Sequence, residues 1–165
     1  LLLSQASKGY HTDINDLLLA ALTQALSSTF EESINHITLE GHGREAIQET
    51  LDHSQTVGWF TTMYPVRLEQ QDSIEQTILY TKEMLRDIPT KGLGFSALAQ
   101  QNVLTGDLPS LSFNYLGQLS SGKETLWQIN GTDVGELVPR ENRGHLALNI
   151  NGMVKNGQLF FHVIL

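Results

Sequence analysis

The 165-residue chain contains no cysteine, which excludes both disulfides and thiolate metal sites. That composition fits a reducing, cytoplasmic setting. Cations are scarce as well: 10 Lys and Arg stand against 18 Asp and Glu, a formal charge of −8. Binding to a phosphate backbone needs clustered Lys and Arg, so a nucleic-acid partner is not expected. No apolar run approaches the roughly 20 residues of a membrane span. The opening Leu1-Leu2-Leu3 has neither the length nor the basic lead of a signal-peptide core. There is no internal repeat and no low-complexity linker. Two catalytic signatures are also missing. Without a Gly-x-Ser-x-Gly elbow, a serine hydrolase has no support. "KGLGF" at residues 91–95 has two glycines and a Lys, but neither Walker spacing nor a preceding buried strand, so phosphate-loop and dinucleotide sites are not expected. His36, His42 and His53 lack zinc-type ligand spacing, and no metal site is expected.

What is present reads as globular. Hydrophobic residues make up 40% and charged ones 17%. A chain of this length can bury roughly 70% of its unfolded surface without staples. It is expected to form one domain, or one large half of a bigger one. It opens without Met in mid-pattern and closes inside the apolar run "LFFHVIL", which reads as a segment of a longer polypeptide.

Residues 13–30 show the clearest helical pattern. Asp13 is a suitable N-cap, and Ile14, Leu17, Leu18, Ala21, Leu22, Ala25 and Leu26 recur at threes and fours. "HITL" at 36–39 reads as a short strand stopped by Gly41 and Gly43. A second strand is expected over 59–68, at an edge or with a bulge because of Pro65. Asp72 is placed as the cap of a second helix with Ile74, Ile78, Thr81, Leu85 and Ile88 on one side, ending at Pro89. "KGLGFSALAQ" follows as a loosened turn into a short helix. Strands are expected at 111–116 and 125–129, then a closing hairpin. There Leu146, Leu148 and Ile150 alternate, Asn156-Gly157 turns, and Leu159, Phe161, Val163 and Leu165 alternate back. Two or three helices and about five strands, mostly antiparallel late in the chain, give an α+β layered sandwich.

Four ionisable side chains, Glu40, His42, Arg44 and Glu45, hang on two glycines in "LEGHGRE". Gly41 and Gly43 permit positive φ or a close backbone approach. Arg44 could keep Glu40 ionised or clamp a phosphate or carboxylate. His42 could shuttle a proton near neutral pH. Read by itself, the turn fits a polar surface connection or an acid–base site at Glu40. "TVGWFTTMYPVRL" is dense in aromatics, and Trp59, Phe60 and Tyr64 are expected in the core or along a cleft wall. "SFNYLGQL" sets Asn114 and Tyr115 in an apolar strand, where alternation turns one of them inward to a partner.

Taken together and in order, "DINDLLLAAL", "LEGHGRE", "TVGWFTTMYPVRL", "IPTKGLGFSAL" and "SFNYLGQL" resemble the epimerization domain of nonribosomal peptide synthetases. The closing "NGMVKNGQLFF" is similar to that family's final hairpin. "EGHGRE" and "FNYLGQ" are the specific pieces, since related condensation domains normally carry other residues there. The resemblance implies a two-lobed fold like chloramphenicol acetyltransferase, with residues 1–165 as its C-terminal lobe. It implies epimerisation at the Cα of an aminoacyl or peptidyl thioester, carried on the 4′-phosphopantetheine arm of a peptidyl carrier domain. No cofactor bound by the chain itself is implied. The implied partners are that carrier, the N-terminal lobe and other synthetase modules. Glu40 resembles the acidic member of the acid–base pair. His42 and Arg44 resemble residues that orient or charge-balance it, and Asn114 and Tyr115 resemble residues near the substrate or its developing oxyanion. The "TVGWF" segment resembles scaffold at the lobe junction.

The family's His-His-x-x-x-Asp-Gly motif belongs to the N-terminal lobe and has no counterpart in this sequence. The resemblance therefore implies an epimerase for the whole domain and no activity for this segment alone. Two rival functions stand beside it: a condensation-type domain that forms an amide bond, and a non-catalytic lobe that docks carriers.

Overall fold

A computed structural model describes residues 7–47, 52–119, 135, 139, 141–142, 144–155 and 157–165. The chain divides into two compact units, Leu1–Pro109 and Ser110–Leu165.

The first unit opens with a single helical turn, α1 (Ser7–Tyr10), followed by the long helix α2 (Ile14–Phe30). Asp13 caps α2 from an extended conformation, and its N–H donates to Asp16 Oδ2 at 2.8 Å. An acceptor at the third helical position satisfies a donor that the helix start would otherwise leave open. Asp16 is itself buried, and burial raises its pKa above the ordinary 3.8 despite that bond. Glu31, in the left-handed region, ends the helix. The expected apolar stripe is rotated. Ala21 and Ala25 face solvent, while Leu19, Ala20, Thr23 and Ser27 are buried. Three consecutive leucines leave the phase of the pattern ambiguous. Thr23 can sit in the core because its hydroxyl donates to the Leu19 carbonyl at 2.8 Å.

Strand β1 (Ile34–Gly41) pairs antiparallel with β2 (Thr62–Glu69), in register from Ile34 opposite Glu69 to Gly41 opposite Thr62. Directly paired residues share a face. One face carries Ile37 and Leu39 with Tyr64, Val66 and Leu68, all buried in the core with α2. Burying each such side chain is worth roughly 1.5–3 kcal/mol. His36, Thr38 and Glu40 share the other face. Thr38 is buried there, its hydroxyl donating to the Pro109 carbonyl at 2.8 Å. Pro65 stands opposite Thr38 within the strand, where its missing N–H is tolerable because β1 is the only partner of β2 among the described residues.

Helix α3 (Ile74–Asp87) is capped by Ser73, whose hydroxyl accepts from the Gln76 N–H at 3.2 Å, and not by Asp72. Its deepest residues are Thr77 and Thr81, whereas Ile74 remains 45% exposed. The inward side of α3 is set by a polar network. The Thr77 hydroxyl accepts from Gln24 Nε2 and from the Gln71 N–H, each at 3.1 Å, and donates to the Ser73 carbonyl at 3.0 Å. Lys82 and Arg86 reach back from α3 to the carbonyls of Tyr10 and His11, at 3.0 and 2.9 Å. The unit closes with a 3-10 turn (Pro89–Gly92) and the short helix α4 (Phe95–Gln100), as the "KGLGFSALAQ" pattern suggests.

In the second unit β3 (Leu111–Leu119) runs parallel to β4 (Leu148–Lys155), which pairs antiparallel with β5 (Gln158–Ile164). The parallel pair departs from the antiparallel expectation. Parallel neighbours need a long crossover, and the sequence between β3 and β4 is long enough to supply one. The register of β3 slips between Tyr115 and Gln118, around Gly117 at φ +84°. Lys155 pairs with Gln158 and Gly157 has φ +77°, which closes the expected hairpin. Asn156, the other half of the expected turn, lies outside the described residues, as does the expected strand 125–129. The alternation expected in β5 does not translate into one buried face: Phe160, Phe161 and Val163 are 48%, 49% and 52% exposed.

Candidate functional site

Glu40 is the penultimate residue of β1 and is exposed, on the face of His36 and Thr38. The strand then ends in a turn that fits only glycine at Gly43. Its φ is +65°, and a Cβ there would stand 1.5 Å from the Phe60 carbonyl oxygen. This close approach brings the segment 53–60 alongside the turn.

Arg44 fastens that segment. Its guanidinium donates to the carbonyls of His53 at 2.7 Å, Thr56 at 2.9 Å and Gly58 at 3.4 Å. It also lies 4.2 Å from the centroid of the Phe60 ring, a cation–π contact. His53 stacks on the same ring at 5.9 Å. These contacts give Arg44 a staple's work on the backbone, a role that residue spacing alone does not indicate. The fastened segment presents Val57 and Trp59 at 99% and 97% exposure, so Trp59 is not a core residue of this chain; Tyr64 is.

His42 is held in one tautomer. Its Nδ1 accepts the Arg44 N–H at 3.0 Å, which leaves the proton on Nε2, 2.9 Å from Glu45 Oε1. The same oxygen lies 3.3 Å from Lys91 Nζ. Lys91 is the residue that sequence reasoning missed, because it is far from the motif along the chain. It arrives through a run of left-handed backbone: Thr90 at φ +44°, Lys91 at φ +48° and Gly92 at φ +76°. For a non-glycine residue such a conformation costs on the order of 1–3 kcal/mol and persists only where surroundings impose it. Gly92 packs on the Tyr64 ring, where a Cβ would fall 2.1 Å from the nearest ring carbon. Burial, reinforced by the Glu45 charge, raises the Tyr64 pKa above 10.0.

The structure thus gathers Glu40, His42, Arg44, Glu45, Tyr64 and Lys91 around one strand end of the first unit. Asn114 and Tyr115 lie in β3 of the second unit. Both are half-buried, opposite Asn151 and Gly152 in the parallel register. Tyr115 rests against Gly152, where a Cβ would be 3.5 Å from its ring. Among the described residues no group of three or more His, Cys, Asp or Glu could hold a metal ion. No helix among them is long and apolar enough to cross a membrane.

The condensation domain family matches residues 1–164, and the chain belongs to that family. Tyrocidine synthase 2 of Brevibacillus parabrevis is 39% identical over 170 residues, spanning 96% of this chain and 5% of that synthase. The epimerization domain from the third module of tyrocidine synthetase B superposes with a TM-score of 0.85 at 38% identity, over 98% of this chain and 38% of that one. The first condensation domain of the CDA synthetase gives a TM-score of 0.63 at 13% identity, over 98% of this chain and 35% of that one, a likeness of fold alone. The α+β architecture is that of these chloramphenicol-acetyltransferase-like domains. The chain spans well under half the length of each of these relatives.

Proposed function

We propose that this chain is the C-terminal lobe of an epimerization domain of a nonribosomal peptide synthetase. The substrate is an aminoacyl or peptidyl group held as a thioester on the 4′-phosphopantetheine arm of a carrier domain. The domain interconverts the L and D forms at Cα. One observation carries this reading: 38% identity at a TM-score of 0.85 to an epimerization domain, against 13% and 0.63 to a condensation domain.

The chemistry is a proton exchange with no net redox change. A base takes the Cα proton, the electron pair moves into the thioester carbonyl as an enolate, and an acid returns a proton to the opposite face. The thioester bond survives throughout. Two positioned groups must face each other across Cα, each poised to give or take a proton. Glu40, exposed at a strand end beside a braced turn, is one of them. The other is the imidazole of the histidine motif, contributed by the N-terminal lobe. Asn114 and Tyr115 serve the substrate or the oxyanion, where a fixed donor stabilises developing charge. The partners are the carrier domain, the N-terminal lobe and adjoining synthetase modules.

The rival reading, amide formation, rests on the condensation family match over residues 1–164. One experiment separates the two. The parent domain with both lobes and its loaded carrier is placed in deuterated solvent, as wild type and Glu40→Gln. Exchange at Cα and the D/L ratio of the released acid are followed. Epimerisation in wild type that Glu40→Gln abolishes supports the proposal. Absence of exchange in wild type, or a new peptide bond when an acceptor carrier is supplied, overturns it.

A further inference from the structure

We propose that Lys91 is a positioning residue for Glu40, holding the catalytic carboxylate from behind through the turn 41–45. This role rests on the epimerase reading.

Thr90 and Lys91 both adopt left-handed φ, and Thr90 is β-branched, for which this region is a true outlier. Such strain persists only where packing over-determines it, and it points to a demand on position. Here the strained loop clasps residues 39–41 from one side. Gly92 lies on the Tyr64 ring, and Tyr64 is the cross-strand partner of Leu39. The Lys91 carbonyl oxygen sits over Gly41, 3.3 Å from where a Cβ would stand. The residues before and after Glu40 are therefore both backed by one loop.

The side chain adds a second hold. Lys91 Nζ meets Glu45 Oε1 at 3.3 Å, and that oxygen meets His42 Nε2 at 2.9 Å. The turn is thus gripped at Gly41 by backbone and at Glu45 by charge. The Lys91 side chain is 67% exposed, so the ion pair contributes little energy of its own. Its contribution is geometric. Strand alternation directs the Glu40 side chain to the face opposite Leu39 and Gly41. Lys91 therefore buttresses the strand end on one side while the carboxylate works on the other.

The test uses the two-lobed parent domain with its loaded carrier, as wild type, Lys91→Met, Lys91→Arg, Glu45→Gln and the double variant Lys91→Met/Glu45→Gln. Initial rates of Cα exchange give kcat and KM for the carrier, and thermal unfolding gives Tm. Lys91→Met should lose about tenfold in kcat with KM within about twofold, since a displacement of even ~1 Å can cost on the order of 10²-fold. Lys91→Arg should recover most of that loss. The double variant should be close to Lys91→Met, because the amide oxygen that Glu45→Gln supplies can still accept from His42 Nε2 while the link to Lys91 is already broken. Unchanged kcat in Lys91→Met overturns the inference. So does a loss confined to KM, which would make Lys91 a carrier contact, or a loss that follows Tm and that Arg does not rescue. A wild-type domain that exchanges no Cα proton overturns the epimerase reading and this inference with it.

Discussion

The carbonyl oxygen of Phe60 occupies the space that any side chain at Gly43 would need. A Cβ there would stand 1.5 Å away, on a backbone whose φ of +65° already disfavours one. Gly43→Ala should therefore destabilise the first unit by about 2 kcal/mol or more, combining left-handed strain with overpacking. Gly41→Ala should cost less, because its nearest neighbours are the Thr62 hydroxyl at 3.0 Å and the Lys91 carbonyl at 3.3 Å. Urea unfolding of the two variants tests the ranking. Equal stabilities would show that the segment 53–60 moves aside freely.

Arg44→Lys should loosen that segment with little effect elsewhere. A lysine keeps the charge but cannot fork to three carbonyls while lying flat on the Phe60 ring. Amide exchange across 53–60 is expected to quicken by about tenfold, the signature of a local opening that has become ~1.4 kcal/mol easier. Exchange in α2 should not change. If the lysine variant protects 53–60 as wild type does, the guanidinium is not what holds the segment.

Thr77→Val keeps the shape of the side chain and removes its oxygen. The Gln71 N–H and the Gln24 amide both lose the acceptor they share on a completely buried side chain. A cost of about 1–3 kcal/mol is expected, with Thr77→Ser markedly milder. Denaturant midpoints of the two variants measure this. A harmless valine would mean that the donors find water or another acceptor.

Burial raises the folded-state pKa of Asp16 above its ordinary 3.8. A group shifted upward stabilises the fold most below its unfolded pKa, and that contribution is lost as pH rises through the folded value. Asp16→Asn has no proton to lose. Between about pH 3 and pH 7 its Tm should therefore gain on that of wild type. A difference that stays flat across that range would show that the carboxylate is not shifted.

Much of the fold is legible in the sequence because local patterns and local structure agree. The N-cap at Asp13, the turn into α4 and the α+β class all follow from periodicity and punctuation, and the family follows from motifs in a fixed order. The phase of α2 is not legible, since "DLLLAAL" offers apolar residues in every direction and only packing selects Leu19, Ala20 and Thr23. Asp72 and Ser73 are both good caps, and the choice between them depends on the polar network around Thr77. The parallel pairing of β3 and β4 is equally hidden, because register and direction arise from contacts distant in sequence. At the candidate site the motif points to Glu40, His42 and Arg44 directly. Lys91 is invisible there because it reaches Glu45 through a backbone conformation that its residue type does not advertise.

The pairing of the second unit also dictates an order of assembly. β4 and β5 meet across a two-residue connection, and hairpins of that kind form in roughly 1–10 μs. β3 must instead find β4 after closing the long connection between Leu119 and Leu148, and loop-closure entropy delays such pairings. Until then β4 has an open edge beside an apolar hairpin, a template for pairing with another chain. Pulse-labelled exchange during refolding should show β4 and β5 protected before β3. Simultaneous protection would mean that the parallel pair nucleates the unit.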